Sequence, residues 1–403
     1  MRILHVIPSL AERHGGPPKV VQELCRELVR RGQEVTIYTT DLDGYRHLSV
    51  PLDQPIRGED GVERWYFSTQ RSGLFGISLA LLKALRKNLA SFDLIHLHNL
   101  YRFSPTVAAH YARRYGVPYI LQPHGTLDPY IYNRHRLRKI VYERLIDNKN
   151  LEKAAAIHFT AADEMSLAQS LGLKFRGVVV PLGIEVAAPT LSNDQLRDNF
   201  ANEWPATRGK KVILFLGRLT QKKGLDLLAK AFGRIARSRD DVQLFLAGPD
   251  DEGYGDKMRQ WLKEEGVLGR ATFAGMLTGD RKEAALVASQ MFVLSSYTEN
   301  FGIAVIEALA AGLPAVITNK INIWRELNDA RAALVINCNV DETAAAMSSL
   351  LDDPALCGRL AQAGKKLVAE QFTWPIVAER MIAVYREIVA ANSKASPARL
   401  SAA

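Results

Sequence analysis

A chain of 403 residues, 47% hydrophobic and 24% charged, is too long for one ordinary domain and has the make-up of a soluble globular protein. Its net charge of +9 is uneven: residues 1–187 hold 25 Lys+Arg against 18 Asp+Glu, a net +7, which suits either a polyanionic or anionic-lipid partner or a merely solvated surface. Cys25, Cys338 and Cys357 lack CxxC spacing, no apolar run nears the roughly 20 residues of a membrane helix, and no signal-peptide pattern follows "MRILHVIPSL"; a disulfide framework, a zinc site and a membrane span are argued against, and a cytoplasmic enzyme is expected.

In chain order, residues 2–7 (RILHVI) read as a strand, followed by a loop with Gly15 and Gly16. A helix is predicted from about Lys19 to Arg31, with Val20, Val21, Leu24 and Leu28 as its apolar stripe. "EVTIYTT", "FDLIHLH" and "VPYILQPHG" are the next strands, nearly continuous apolar runs of the kind a doubly covered parallel sheet requires. "DLD" at Asp41–Asp43 matches a metal-binding DxD formally, but its place after the second strand makes it read as a turn.

Further on, "NRHRLRKIVYERL" (133–145) sets Leu137, Ile140, Val141 and Leu145 at helical spacing, with Arg134, Arg136, Arg138 and Lys139 on the other face and Tyr130 and Tyr132 upstream. A solvated helix face and a face that docks on anionic lipid, or steers an anionic acceptor, both fit it. After "VVVPLGIEV" a polar segment, 188–210, reads as a linker. "KVILFLGRL" then opens a second βα series that continues through "VQLFLAGPD", "ATFAGML", "MFVLSSYTEN" and "LPAVITN". Two doubly wound α/β domains follow, 1–187 and 211–373, with a closing helix at 374–391 and a tail, 392–403, expected to be disordered.

Ligands of open α/β sheets bind beyond the carboxyl ends of the strands, so those loops are where chemistry is sought. In "FLGRLTQKKGLDLL", Gly217, Arg218 and Lys223 lie between a strand and a helix, a natural phosphate cradle or else a solvated basic loop. In "SSYTENFGIAVIEALAAGLP", Glu299, Asn300, Phe301, Gly302 and Ile303 stand where a strand hands over to a helix whose free N–H groups favour anions or hydroxyl oxygens. Glu307 follows about two turns deeper in an almost unbroken apolar run. A carboxylate there needs donors: a ribose diol would supply them, and so would a structural Lys or Arg. "LQPHGTLDP" places His124 and Asp128 after a predicted strand, and "FAGML" places Gly275, Met276 and Leu277 after another.

Taken together, "ENFGIAVIEALAAGLP" with Glu299 and Glu307, "GRLTQKKG", "HVIPS", "GGPPKVV", "HLHN", "QPHGTLDP" and "FTWPIVAERMIAVYREIV" resemble the retaining glycosyltransferases of family 4. The resemblance spans most of the chain and implies the GT-B architecture, two Rossmann-like domains facing across a cleft, with the closing helix returning to the first. It implies a UDP- or GDP-sugar donor and a glycan or lipid-linked glycan acceptor in surface polysaccharide or lipopolysaccharide assembly. It also implies that Glu307 binds the ribose, Glu299 the donor sugar hydroxyls, and Arg218 and Lys223 the diphosphate. Gly275, Met276 and Leu277 match the base-binding segment, and His124 meets the donor sugar near the reacting carbon. Gly16 approaches the donor phosphate, while Gly15, Asp128 and Arg134 fall to the acceptor. Neither a cofactor nor a metal is expected, since Arg218, Lys223 and the helix start can stabilise the leaving group.

Two places depart from the family pattern: Leu182 stands in "PLGI" where Asn is usual, and "NDARAALVI" carries alanines in place of a Gly-rich turn. A polyanion binder is the competing class, but no standard nucleic-acid motif is present, and aromatics and basics are not interleaved. Another GT-B enzyme is the other alternative, but a phosphorylase would need pyridoxal phosphate and is usually much longer, and nucleotide-sugar epimerases lack the Glu299/Glu307 pair in this setting.

Overall fold

The computed structural model describes residues 1–11, 13, 15–70, 75–132, 147–186 and 191–395. The chain forms two compact units, one from residues 1–183 plus the segment from Trp374 onward, the other from Ile184–Thr373.

The N-terminal unit contains strands β1 (Arg2–Ser9), β2 (Glu34–Thr40), β3 (Leu42–Asp43), β4 (Arg46–His47), β5 (Pro55–Arg57), β6 (Glu63–Phe67), β7 (Leu94–His98), β8 (Tyr119–Gln122), β9 (Ala156–Phe159) and β10 (Gly177–Val179). Eight of them form one sheet in the order β10-β9-β8-β7-β1-β2-β6-β5, parallel except for β5. Every residue of β7, β8 and β9 is buried, which is why these strands read as continuous rather than alternating runs. The helix Gly16–Arg30 begins earlier than its apolar stripe because Pro17 and Pro18 fit the first turn, where no N–H donor is needed. Asp41, in the stretch read as a turn, is buried, accepts from the Thr69 N–H (3.1 Å) and hydroxyl (2.7 Å), and opens the β3–β4 hairpin.

The closing helix, Trp374–Ala395, belongs to this unit. Val377, Ala378, Met381, Tyr385 and Ile388 are its buried stripe, and it packs on the helix Gly16–Arg30. The Trp374 indole N–H donates to Glu23 at 2.8 Å, and Arg31 pairs with Glu379 at 2.9 Å. The helix runs four residues past the predicted boundary at 391; residues 396–403 lie outside the described residues, as does the basic stretch 133–145 with Arg134.

The second unit holds β11 (Lys211–Leu216), β12 (Val242–Ala247), β13 (Ala271–Gly275), β14 (Met291–Leu294), β15 (Ala315–Thr318) and β16 (Leu334–Ile336), all parallel, in the order β13-β12-β11-β14-β15-β16. Numbered within the unit, this is 3-2-1-4-5-6, the doubly wound order whose switch point lies between the first and fourth strands. The segment 188–210, read as a linker, carries a helix, Asn193–Glu203, with a capping box from Ser192 and Gln195. It buries only Leu196 and Phe200, too thin a stripe to stand out in a polar stretch. Phe200 packs 4.9 Å from Phe245 of β12.

At "NDARAALVI" the turn survives without glycine: exposed Arg331 takes φ +52°. Since left-handed backbone strains an L side chain, Arg331→Gly is expected to stabilise the unit by up to about 1 kcal/mol, read as a higher melting temperature. An unchanged or lower value would show that the arginine carries no strain.

Candidate active site

The loops after β11 and β14, the two strands flanking the switch point of the second unit, are locked together by backbone. Tyr297 N–H donates to the Lys222 carbonyl (2.8 Å), the Ser295 hydroxyl to the Gly224 carbonyl (2.8 Å), and the Tyr297 hydroxyl to Asp226 (2.7 Å). Gly224 has φ +61°, and a Cβ there would lie 1.9 Å from the Ser295 carbonyl oxygen, so only glycine allows this contact. Glu299 is fixed by its own backbone, donating to Lys320 (2.9 Å) and accepting from Asn322 (3.1 Å) in the loop after β15.

On this frame Lys223, 9% exposed, pairs through its ammonium with the Glu299 carboxylate, and Lys222 stands 3.9 Å from the other carboxylate oxygen. Burial pushes the Glu299 pKa up; Lys223, and then Lys222, pull it down by more, leaving it below the ordinary value. Half-buried Arg218, on the same connection, makes no ion pair among the described residues. Gly302, at φ +76°, starts the helix Ile303–Ala311 directly after Glu299–Phe301. Glu307 on that helix is not fully buried: it pairs with Lys282 of the helix Gly279–Ala288 at 2.8 Å, their side chains 18% and 27% exposed. At the carboxyl end of β13, Gly275 is exposed, Leu277 is buried, and Met276 is 63% exposed, an apolar surface beside the strand ends.

The N-terminal unit has its own switch point, between β1 and β7. There a cavity of about 320 Å³ opens, lined by Ile7, Pro18, Leu42, Tyr45, Asn99 and Arg102 among others. Gly15, at φ +80°, caps the helix whose first residue is exposed Gly16. Three non-glycine residues at the ends of β7 and β8 have left-handed backbone: Asn99 (φ +71°), Tyr101 (+58°) and His124 (+50°). Such strain persists only where surroundings enforce it, and it gathers at functional sites. Here the enforcement is visible: buried Glu164 accepts from the Gly125 N–H (3.1 Å) through one oxygen, and from the Thr160 N–H and hydroxyl (both 2.7 Å) through the other. Asp128 begins the short helix Pro129–Tyr132.

Behind His124 lies a layer of buried imidazoles. His5 Nδ1 is 3.0 Å from His98 Nε2, and His98 Nδ1 is 3.1 Å from His124 Nε2. Separately, His96 Nδ1 is 2.7 Å from the Tyr385 hydroxyl, His96 Nε2 is 3.4 Å from His158 Nδ1, and His158 Nε2 is 2.8 Å from the Val180 carbonyl. Burial, reinforced by His158, pushes the His5 and His124 pKa values down to about 3; burial brings His158 to about 4, against the pull of the Val180 carbonyl. His96 and His98 are driven well below the ordinary value by burial and by the neighbouring imidazoles. The rings are therefore neutral at pH 7.

Residues 15–183 match the family described as Glycosyl transferase 4-like domain, and residues 197–367 match Glycosyl transferases group 1, so each unit is accounted for. The chain belongs to the family 4 glycosyltransferases. This glycosyltransferase is 24% identical to mannosylfructose-phosphate synthase of Agrobacterium fabrum, over 94% of this chain and 87% of that one. It is 24% identical to phosphatidyl-myo-inositol mannosyltransferase of Mycolicibacterium smegmatis, over 98% and 96%. Its fold is that of a sucrose-phosphate synthase from Thermosynechococcus elongatus (TM-score 0.76, 20% identity, 97% and 100% covered) and of Anabaena HepE in complex with UDP and glucose (0.74, 16%, 96% and 100%). The architecture is GT-B, and the activity is sugar transfer.

In the glycosyltransferase the predicted residues fall into two groups. Gly217, Arg218, Lys223, Glu299, Asn300, Phe301, Gly302, Ile303 and Glu307 gather at the switch point of the second unit, with Gly275, Met276 and Leu277 on the edge strand of the same sheet. Gly15, Gly16, His124 and Asp128 lie at strand ends of the first unit. Sequence reasoning missed Lys282 and Lys222, the further partners of the two glutamates, and also Glu164 and the histidines behind His124. Only the "HLH" of β7 hinted at the last of these. No described helix is long and apolar enough to cross a membrane.

Proposed function

We propose that the enzyme transfers a hexosyl group, with retention of configuration, from a UDP- or GDP-sugar held by the second unit to a glycan or lipid-linked glycan taken up by the first, in surface polysaccharide or lipopolysaccharide assembly. The observation that carries this reading is the half-buried Arg218, unpaired among the described residues, on the connection that also bears the Lys223–Glu299 pair at a doubly wound switch point. Cations at a strand end beside a helix start are suited to a diphosphate. HepE, of the same fold, is described with UDP and glucose bound.

On this reading Arg218, Lys223 and the N–H groups at Asn300–Gly302 meet the negative charge that grows on the departing diphosphate, with no metal required. Glu299 accepts from donor sugar hydroxyls, its carboxylate kept ionised by Lys223. Glu307 shares its oxygens between Lys282 and the ribose diol. Exposed Met276 offers an apolar face to the base, beside Gly275 and Leu277. The acceptor enters at the cavity between β1 and β7, near Gly15 and Asp128, and His124 contacts the sugar. The basic stretch 133–145, with Arg134, steers an anionic acceptor or docks on anionic lipid. Co-sedimentation with anionic but not neutral vesicles, lost at high salt, supports docking, whereas binding that survives Arg134, Arg136, Arg138 and Lys139 all changed to Glu removes it.

A thermal-shift screen against UDP-, GDP-, ADP- and CMP-sugars should single out one nucleotide class. Glu307→Ala should weaken that nucleotide by about 10- to 100-fold in calorimetry, as hydrogen bonds to a charged acceptor are lost. An unchanged affinity in the folded variant would take Glu307 out of the ribose role. Transfer should survive EDTA, and complete inhibition reversed by Mn²⁺ or Mg²⁺ would overturn metal independence.

A further inference from the structure

Two hydrogen-bonded imidazole chains cross the buried face of the N-terminal sheet, and their proton positions follow from simple counting. A neutral imidazole carries one N–H and one bare nitrogen, so fixing one ring of a chain fixes every ring linked to it. In the first chain a carbonyl settles the matter. Val180 can only accept, so His158 holds its proton on Nε2 and presents bare Nδ1 to His96 Nε2–H. His96 Nδ1 is then bare and accepts from the Tyr385 hydroxyl at 2.7 Å. This chain ends on groups of the fold, the Val180 carbonyl and the Tyr385 hydroxyl.

The second chain runs from the interior to the site. His5 Nε2, at its inner end, is enclosed and has no hydrogen-bond partner among the described residues. If protons pointed inward, from His124 to His98 to His5, the chain would finish in a buried, orphaned N–H, the state native proteins tolerate least. With the opposite polarity the inner end is only a bare nitrogen. His5 Nδ1–H then donates to His98 Nε2, His98 Nδ1–H donates to His124 Nε2, and the proton of His124 is left on Nδ1. The turn that carries His124 is itself held by Glu164 through Gly125, so both the position and the tautomer of the ring are set from behind.

We propose that His5 and His98 are positioning residues that hold His124 as its Nδ1–H tautomer, making it a neutral hydrogen-bond donor to an oxygen of the transferring sugar. The proposal deepens the reading above, since it takes from it that His124 meets the sugar. A donor so fixed favours a substrate oxygen with a free lone pair and offers nothing to a substrate N–H or cation. Because the ring stays neutral, it orients and polarises rather than supplying a proton.

Long-range ¹H–¹⁵N correlation spectra of the full chain, labelled with ¹⁵N-histidine and recorded at pH 7, read the tautomers directly, with His124 assigned from the resonances lost in His124→Gln. The expected result is bare Nε2 and protonated Nδ1 for His5, His98 and His124, against protonated Nε2 for His96 and His158. Protonated Nε2 on His124 overturns the proposal, whatever the activity. In kinetics, His98→Leu should lower kcat by about 10- to 100-fold, with the affinity for free nucleotide unchanged. His98→Asn, which can return a donor near the Nδ1 position, should recover part of that loss. Equal losses in His98→Leu and His98→Asn, with both variants folded, would mean that the ring only fills space and would count against the proposal. Full transfer by His124→Ala would instead sink the reading that His124 meets the sugar, while leaving the tautomer result intact.

Discussion

Lys223→Met should reduce turnover by about 10²- to 10³-fold, as expected when one donor to the developing charge is lost. Methionine matches the lysine stem in length, so the contacts of the buried chain are largely kept and the change is chiefly one of charge. That charge matters to stability as well. Glu299 is mostly enclosed, and without Lys223 its nearest described cation is Lys222 at 3.9 Å. Burial, already the largest influence on this carboxyl and an upward one, would then dominate, and its pKa would rise above the value in the unfolded chain. A group whose folded pKa is raised binds more protons in the native state, so the variant's deficit should shrink as the pH falls from 8 towards 5. The wild-type enzyme, with Glu299 lowered, should show the opposite sign for this group. Combining Lys223→Met with Glu299→Gln should restore the melting temperature, because no buried charge remains unpaired, but should not restore transfer. If the double variant regains turnover, the lysine serves only to neutralise Glu299 and has no part in holding the diphosphate.

The contrast between the two units shows what the sequence could and could not convey. Parallel strands covered on both faces must be apolar throughout, so β7, β8, β11, β12 and β14 announced themselves as short uninterrupted runs. Residues of the second unit's site were legible for a related reason: Gly217, Arg218, Glu299 and Gly302 all sit in strand-to-helix connections, and the fold dictates that ligands meet those connections. The helix Asn193–Glu203 was not legible, because a helix that buries two side chains looks like polar loop. Nor were the partners of the glutamates. Glu307 looked isolated in an apolar run, but Lys282 reaches it from a helix 25 residues earlier, and pairings across a fold leave no local trace. The histidines posed the same difficulty. His5, His96, His98 and His158 belong to three strands, β1, β7 and β9, and His124 to the loop after β8, and only sheet register brings them together: His5 pairs with His96, and His98 lies opposite Gln122.

That histidine layer predicts acid-labile folding of the N-terminal unit. His5, His96 and His98 are fully enclosed and His158 is 2% exposed, and all four have pKa values well below the 6.5 of an unfolded histidine. On these residues the unfolded chain therefore holds about two more protons than the folded one at pH 6.5, and nearly four more at about pH 5. Stability must fall with pH across that window, at a slope approaching about 5 kcal/mol per pH unit. Half-buried His124 adds to it in part. Tyr385, packed against His96, gives no relief: it is buried with a raised pKa, so it stays neutral and supplies no anion to hold an imidazolium. A domain whose whole stability is about 5–15 kcal/mol should then unfold near pH 5, well above the range in which carboxylate protonation alone unfolds a protein. Far-UV and near-UV dichroism from pH 8 to 3, combined with potentiometric titration, tests this. The expected outcome is cooperative loss of the N-terminal unit with uptake of about four protons, reduced by about one in His5→Leu. A unit that stays folded to pH 3.5, or that unfolds there with proton uptake confined to carboxylates, would mean that water or rearrangement reaches these imidazoles and that they are not held neutral by burial.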